Sequence, residues 1–256
     1  VDQDGGLTKI GNGTLFLNGV NTYTNLTRVG QGSLGGTGTI AGLVVVSNSA
    51  GLNLMDGAAG GTLTLANGLT LTTANTLTFE VGATPDQLAI TGGAYTAPGS
   101  AATVTITNLS GLTAGTNKLI TGAAGISLGS FTLGTTPPTG FGYTLRVTGN
   151  DLELVVTAVA PSAAFWKGGV NGFWNAADSG GSFNWATSGA GTTSTVTKPA
   201  TPTAVTFSAS GAANQNTTLG ENFTVKSVDF NTTAGAVTIG GSGSEMLSFN
   251  GGVTSA

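Results

Sequence analysis

Apolar residues and threonine alternate along much of the chain with a period of two. Residues 62–65 read Thr-Leu-Thr-Leu, and residues 76–81 read Thr-Leu-Thr-Phe-Glu-Val. Successive side chains of a strand point to opposite faces, so this alternation predicts half-buried β-strands. Threonine suits the outer face because its branched Cβ favours extended backbone. The same pattern predicts strands at 13–17, 69–72, 103–107, 143–147, 152–156, 204–207, 223–230 and 236–239.

Glycine and asparagine separate these short strands. Glycine accounts for 44 of the 256 residues, and each glycine costs a helix interior about 1 kcal/mol relative to alanine. The pairs Asn12-Gly13, Asn18-Gly19 and Asn67-Gly68 tolerate positive φ and mark corners of the chain. Corners after every few residues fit either a β-solenoid of stacked coils or an antiparallel sandwich.

Self-similar segments favour the solenoid in the first 90 residues or so. Residues 13–19 read Gly-Thr-Leu-Phe-Leu-Asn-Gly and residues 61–68 read Gly-Thr-Leu-Thr-Leu-Ala-Asn-Gly, as expected for stacked repeats. Residues 86–156 alternate more strictly and predict a small antiparallel sheet that caps the stack. We therefore predict an all-β fold, with a parallel β-helix and antiparallel cap followed by a second β-rich part. A β-sandwich is the alternative.

Residues 157–164 form the best linker in the sequence, because they are rich in small residues and contain Pro161. We predict two domains: residues 1–160, a β-solenoid with an antiparallel end, and residues 161–256, a β-rich module that contains all three tryptophans.

The composition excludes several classes of function. Charged residues make up 7% of the chain, the formal net charge is -4, and Cys and His are absent. Nucleic-acid binding needs clustered Lys and Arg, and thiol nucleophiles, Ser-His-Asp triads and ordinary zinc sites need the missing residues. The longest apolar run, 43–46, is too short to span a bilayer. We expect no enzyme, no cofactor and no bound metal.

The carboxylates are scattered along the sequence. Only Asp2 with Asp4 and Asp151 with Glu153 stand two residues apart, a spacing that places both groups on one face of a strand. Such a pair could bind Ca²⁺ or act in a glycosidase, but Ca²⁺ takes six to eight oxygens. We therefore expect solvated pairs at strand ends and no catalytic cluster.

The three tryptophans, Trp166, Trp174 and Trp185, lie within twenty positions of one another. They could form an aromatic platform for sugar rings, since aromatic faces combine flat apolar area with a polar group. The alternative, which we favour, is that they fill the core of a small β-domain.

One stretch near the N-terminus resembles a known repeat. Residues 5–15 read Gly-Gly-Leu-Thr-Lys-Ile-Gly-Asn-Gly-Thr-Leu, and Asn-Thr-Tyr-Thr follows at 21–24. This stretch resembles the autotransporter-associated β-strand repeat, or passenger-associated transport repeat, of secreted bacterial surface proteins, and departs from it at Asn25, where the family usually has glycine. The matching positions are Gly6, Leu7, Thr8, Lys9, Gly11, Gly13, Leu15, Asn21 and Tyr23. The resemblance implies a parallel β-helix, secretion and a structural or adhesive role.

The order of the parts is reversed relative to that family. Residues 165–185, with their tryptophans, look like the opening of a further module, yet here they follow the repeat. The chain is therefore either a fragment of a longer array or a subunit whose terminal strands join those of other copies. We expect an extracellular or bacterial cell-surface structural protein that assembles head to tail into a filament or surface layer. The alternative is an adhesin that binds glycans.

Overall fold

The computed structural model describes residues 5–57, 60–108, 112–135, 141–231, 235–251 and 254–255. The protein is all-β, with 44% of the chain in strands and 1% in helix. The chain forms two compact units, and the main break between them falls between Thr157 and Ala158.

The first unit is a three-sided parallel β-helix, as the sequence predicts. Each of five successive coils contributes one strand to each of three sheets. The coils comprise β1 (Leu7–Lys9), β2 (Thr14–Phe16) and β3 (Val20–Asn21); β4 (Thr27–Val29), β5 (Ser33–Gly35) and β6 (Thr39–Ile40); β7 (Val44–Val46), β8 (Gly51–Asn53) and β9 (Thr62–Leu65); β10 (Leu69–Leu71), β11 (Thr76–Val81) and β12 (Gln87–Ile90); and β13 (Tyr95–Thr96), β14 (Ala102–Asn108) and β15 (Gly115–Thr121).

The core of this unit is a column of aliphatic side chains stacked in register. In the second sheet, Leu15 pairs with Leu34, which pairs with Leu52, and the column continues through Leu77 to Val104. All of these except Leu15 are buried. Burial of each such side chain stabilises the fold by about 2 kcal/mol. Such columns of aligned apolar side chains fill the interior of the solenoid.

Tight corners need glycine where two coils approach closely. Gly36 has φ of +113°, and a Cβ at this position would collide with the backbone of Leu17 in the coil below. This left-handed conformation is one that other residues rarely adopt. Gly36 thus allows β5 to turn toward β6 directly over the first coil.

An antiparallel hairpin ends the third sheet of the first unit, so the predicted cap exists. It is smaller than the predicted range of residues 86–156, because β12 to β15, and Phe131–Leu133 after them, still pair parallel with the coils of the helix. After a short 3-10 turn at Leu128–Ser130 and β16 (Phe131–Leu133), the chain forms β17 (Phe141–Thr148) and β18 (Asp151–Ala158). β18 pairs antiparallel with β15, and β17 lies outside β18. The hairpin therefore stops the parallel stacking on this side of the helix.

The second unit also stacks parallel strands. Its elements are β19 (Ala163–Trp166), β20 (Trp185–Ala186), β21 (Ala204–Phe207), β22 (Asn216–Thr218), β23 (Phe223–Val225), β24 (Ser227–Phe230), β25 (Thr238–Gly240), β26 (Leu247–Phe249) and β27 (Thr254–Ser255). The sheets follow the orders β20-β19-β21-β24-β27, β22-β25 and β23-β26, and only β19 and β20 pair antiparallel within them.

The single strand predicted at 223–230 is wrong. The structure ends β23 at Val225 and begins β24 at Ser227, and these two strands belong to different sheets. At the intervening Lys226, the backbone N–H donates to the carbonyl of Thr203 at 2.8 Å. The alternating pattern continues through this corner, so periodicity alone does not reveal it.

Candidate functional site

Lys9 of the repeat-like motif binds the backbone of its own corner. Its Nζ donates to the carbonyl oxygens of Ile10 at 3.0 Å, Gly11 at 2.6 Å and Gln31 at 3.1 Å. The ammonium group has three hydrogens, so these contacts use its full donor capacity. Gln31 also accepts a hydrogen bond from the N–H of Gly11, whose φ is +78°. Lys9 therefore joins the first coil to the second.

Asn21 and Tyr23 make similar contacts at the other corner of the first coil. The Asn21 side-chain amide donates to the carbonyls of Gly19 at 3.0 Å and Thr39 at 3.1 Å. The Tyr23 hydroxyl accepts a hydrogen bond from Thr27 Oγ1 at 3.0 Å. These side chains fasten coil to coil.

The remaining motif positions support the same corners. Gly6 lies against the carbonyl of Leu26, where a Cβ would come within 2.8 Å. Leu7 and Leu15 are half-buried, whereas Thr8 is exposed in β1 and Gly13 borders open space. We find no polar pocket among the described motif residues, so their contacts are architectural.

The outer side of the first coil is unusually apolar. Ile10 is 72% exposed and Val20 is 76% exposed, and Phe16 and Leu26 are also exposed. In each of the three sheets the strand from this coil, β1, β2 or β3, is outermost, with no described strand beyond it. We call this surface the open end. It combines exposed hydrophobic side chains with three unpaired strand edges.

The last coil of the second unit presents a second set of unpaired edges. Here β25, β26 and β27 are outermost among the described strands of their sheets. Met246, which precedes β26, is 62% exposed, and Phe249 in β26 is exposed as well. We call this surface the final edge.

The expectation of scattered carboxylates is wrong at one place in the first unit. Asp56, Glu80 and Asp86 bring carboxylate oxygens within 4.8 Å of one another. Glu80 Oε2 accepts from the N–H groups of Asp56 at 3.1 Å and Gly57 at 2.8 Å. Asp86 accepts from the N–H of Gly61 at 2.9 Å and from that of Glu80 at 3.3 Å. Burial raises the pKa of Asp86 to about 6, against the lowering effect of these N–H groups.

The carboxylates of this acidic cluster accept hydrogen bonds from backbone N–H groups. Its hydrogen bonds tie the corner after β8 to the end of β11 and the start of β12. Three carboxylates carry six oxygens, the lowest number that Ca²⁺ takes, and backbone N–H groups already occupy lone pairs of Glu80 and Asp86. The cluster therefore acts as a set of caps for chain corners that lie above one another.

Asp151 and Glu153, the second predicted acidic pair, form ion pairs with two different basic side chains. Asp151 accepts from Lys118 Nζ at 2.7 Å, and Glu153 accepts from Arg146 at 2.7 Å. These hydrogen bonds hold the pKa of each carboxyl below its ordinary value. The expected solvated pair is wrong for Glu153, which is buried. Each carboxylate closes its own ion pair and leaves no shared site, while Asp2 and Asp4 lie outside the described residues.

The three tryptophans lie in the core of the second unit. Trp166, Trp174 and Trp185 have no exposed surface. Trp185 packs edge-on against both of the others, with ring centroids 4.9 Å apart in each pair. The three indole N–H groups donate to Ala213 O, Thr217 Oγ1 and Trp174 O respectively. Their faces are therefore not available for a sugar ring.

Asn184 organises the loop that carries these tryptophans, and sequence analysis missed it. Its Oδ1 accepts from the N–H groups of Val170 and Asn171, and its Nδ2 donates to Asn171 Oδ1 and to Phe173 O. All four bonds of a buried amide are satisfied. Asn184 precedes Trp185, and this adjacency is the one hint in the sequence.

A second group missed by sequence analysis joins three distant segments of the second unit. Glu221 accepts from Lys198 Nζ through Oε1 and from Asn175 Nδ2 through Oε2, the latter at 3.3 Å. Asn175 Nδ2 also donates to the carbonyl of Gly220 at 3.3 Å. Lys198 Nζ lies 6.0 Å from the centroid of the Phe223 ring. An amine, a carboxylate and a carboxamide thus meet in one place.

Among the described residues, no helix has the length and apolar character needed to cross a membrane. Comparison with known proteins finds no matching family model, no matching curated protein and no matching solved structure.

Proposed function

We propose that this protein is an extracellular, non-enzymatic structural protein whose copies join head to tail through their terminal β-coils. The observation that carries the proposal is the match between the open end and the final edge. β1, β2 and β3 contain three, three and two residues, and β25, β26 and β27 also contain three, three and two.

Chain order supports the same pairing. In a parallel solenoid, a coil that follows β27 places its strands first on β25, then on β26 and then on β27. β1, β2 and β3 of a second copy occur in that order and with those lengths. Such a contact joins two different surfaces, so each copy binds one neighbour at its open end and another at its final edge, and copies add in series.

Exposed hydrophobic residues supply a driving force for this contact. Ile10, Phe16 and Val20 on one surface and Met246 and Phe249 on the other lose water when the surfaces meet. The low proportion of charged residues, 7% of the chain, leaves little repulsion between copies.

The direction of the peptide groups allows a specific test. The N–H of Leu7 donates to Leu26 O, and the carbonyl of Lys9 accepts from Gly30, so both face the second coil. Successive peptide groups of a strand point to opposite edges, and the N–H of Thr8 therefore points outward. The substitution Thr8→Pro removes this donor and leaves the internal ladder intact.

The experiment compares wild type, Thr8→Pro and the control Thr8→Val by sedimentation velocity and electron microscopy over a range of protein concentrations. We expect filaments of wild type and Thr8→Val, with assembly by Thr8→Pro reduced at least tenfold. A wild-type chain that stays monomeric throughout would overturn the proposal, as would filaments that are indifferent to Thr8→Pro.

A further inference from the structure

The group formed by Lys198, Glu221 and Asn175 has the components of a covalent cross-link. Lys198 supplies an amine, Asn175 supplies a carboxamide carbon, and one carboxylate, that of Glu221, is hydrogen-bonded to both. A carboxylate in this position can take a proton from the nucleophile and return one to the leaving group. We propose that Lys198 and Asn175 form an intramolecular amide bond, with Glu221 as the acid–base group and ammonia as the product.

The reaction begins from the ion pair. The hydrogen bond from Lys198 holds the pKa of Glu221 below its ordinary value, so Glu221 rests as a carboxylate beside the amine. Glu221 takes one proton from the ammonium, and the neutral Nζ attacks Cγ of Asn175. Glu221 then passes the proton to Nδ2, and the Cγ–Nδ2 bond breaks.

The atoms and charges of this reaction balance. One hydrogen of the Lys198 ammonium remains on the new amide nitrogen, and the other two leave with Nδ2 as an ammonium ion. Glu221 carries these protons in turn and ends as a carboxylate. No oxidant, reductant or cofactor takes part.

The surroundings hold the carboxamide in place. Gly220 has φ of +73°, and a Cβ there would come within 2.7 Å of Asn175 Oδ1 and 3.1 Å of its Cγ. Glycine at this position lets the backbone press against the amide, while the buried Phe223 ring lies under the amine. Such positioning replaces a bimolecular encounter by an intramolecular one.

The rate required is modest. The reaction occurs once in the life of each molecule, so a half-life of hours is sufficient. Water reaches this site, because the side chains of Lys198 and Glu221 are 45% and 37% exposed. We therefore expect the bond to accumulate slowly after folding.

Mass spectrometry of the full chain tests the proposal. After prolonged incubation of the folded protein, we expect the wild-type mass to fall by the mass of one ammonia. Cleavage after acidic residues of the unfolded product separates Asn175 from Lys198, because Asp178 lies between them. The two peptides should remain joined in wild type and separate in Lys198→Arg and Glu221→Gln.

A matched control is Lys118→Arg, which changes the lysine of the Lys118–Asp151 ion pair in the first unit. This variant should retain the cross-link. Loss of ammonia can also arise at an Asn-Gly pair such as Asn12-Gly13, but that loss would persist in Lys198→Arg and leave the peptides separate. Such a result would overturn the proposal, and so would a wild-type chain that keeps its full mass.

Discussion

The third sheet of the first unit has two very different edge strands, β3 at the open end and β17 at the other end. At the open end, β1, β2 and β3 have no described strand on their outer edges, and Ile10 and Val20 are exposed. At the other end of the third sheet, β17 and β18 run antiparallel and carry the ion pairs of Arg146–Glu153 and Lys118–Asp151. Charges and reversed direction protect an edge from further pairing, whereas apolar residues on a parallel edge invite it. Within the third sheet, the β17 edge is therefore protected against further parallel pairing, whereas the β3 edge is not.

The largest expected effect is the difference in stability between a proline in an interior strand and a proline in the outermost strand. Thr70 in β10 and Thr8 in β1 occupy the same register position of the first sheet. The N–H of Leu69 donates to Ala94 O, so the N–H of Thr70 in β10 faces β7. Thr70→Pro should lower the free energy of unfolding by about 3 kcal/mol, because it removes a ladder hydrogen bond and leaves a buried carbonyl of β7 without its donor. Thr8→Pro should change it by less than about 1 kcal/mol. Urea titration of both variants checks this, and equal losses would contradict the assignment of the open edge.

The interior acidic cluster should respond to pH in the opposite sense to the carboxylates of the hairpin. The pKa of Asp86 is raised in the fold from 3.8 to about 6, so the folded state binds more protons than the unfolded state in this window. Stability from this group should fall by about 3 kcal/mol as pH rises through this window. Asp86→Asn, which resembles the protonated acid, should flatten this dependence in urea titrations at several pH values. Retention of the full slope would contradict it.

The ion pair of the hairpin should have a smaller effect. Glu153 accepts from Arg146 and from Thr148 Oγ1, and it is buried. Glu153→Gln should cost about 1 kcal/mol at neutral pH because a charged acceptor becomes neutral. Its pKa is lowered in the fold, so this stabilisation is lost as pH falls below the ordinary value of 4.5. Thermal unfolding of wild type and variant should therefore converge in acid, and a constant difference at every pH would be inconsistent with this explanation.

A charge at the open end should have the smallest effect on the folded monomer. Val20 is 76% exposed and lies in an outermost strand. Val20→Lys should change the free energy of unfolding by less than about 0.5 kcal/mol, yet raise the protein concentration at which association begins. Light scattering and urea titration measure the two quantities. A large loss of stability would show that Val20 packs within the core.

The repetitive parts of the fold could be predicted from the sequence. The strands at 62–65, 76–81 and 204–207 lie where alternation places them, because each buries one face against the next coil. The corner at Lys226 could not be predicted from the sequence, because the alternating pattern continues on both sides of it although β23 and β24 belong to different sheets.

The acidic cluster was missed for a related reason. Asp56 and Glu80 are 24 residues apart and meet because one coil spans 25 residues at this point. Coil length is not constant, however: pairs in the first sheet are separated by 20 residues from Leu7 to Thr27, 17 from Thr27 to Val44 and 25 from Val44 to Leu69. Loop lengths at the corners set these separations, and no periodicity in the sequence encodes them. The Lys198 group depends in the same way on corners of the second unit.

The direction of the coil–coil hydrogen bonds has a mechanical consequence. In the first unit these bonds run along the stack, so tension applied in that direction pulls adjacent coils apart in sequence. Because Leu7 pairs with Thr27, release of the first coil frees about 20 residues, or about 70 Å of extended chain. Each rupture would lengthen the molecule and relax the load before the next coil yields. A stack of this kind therefore dissipates mechanical work in a series of steps, one for each coil that is released.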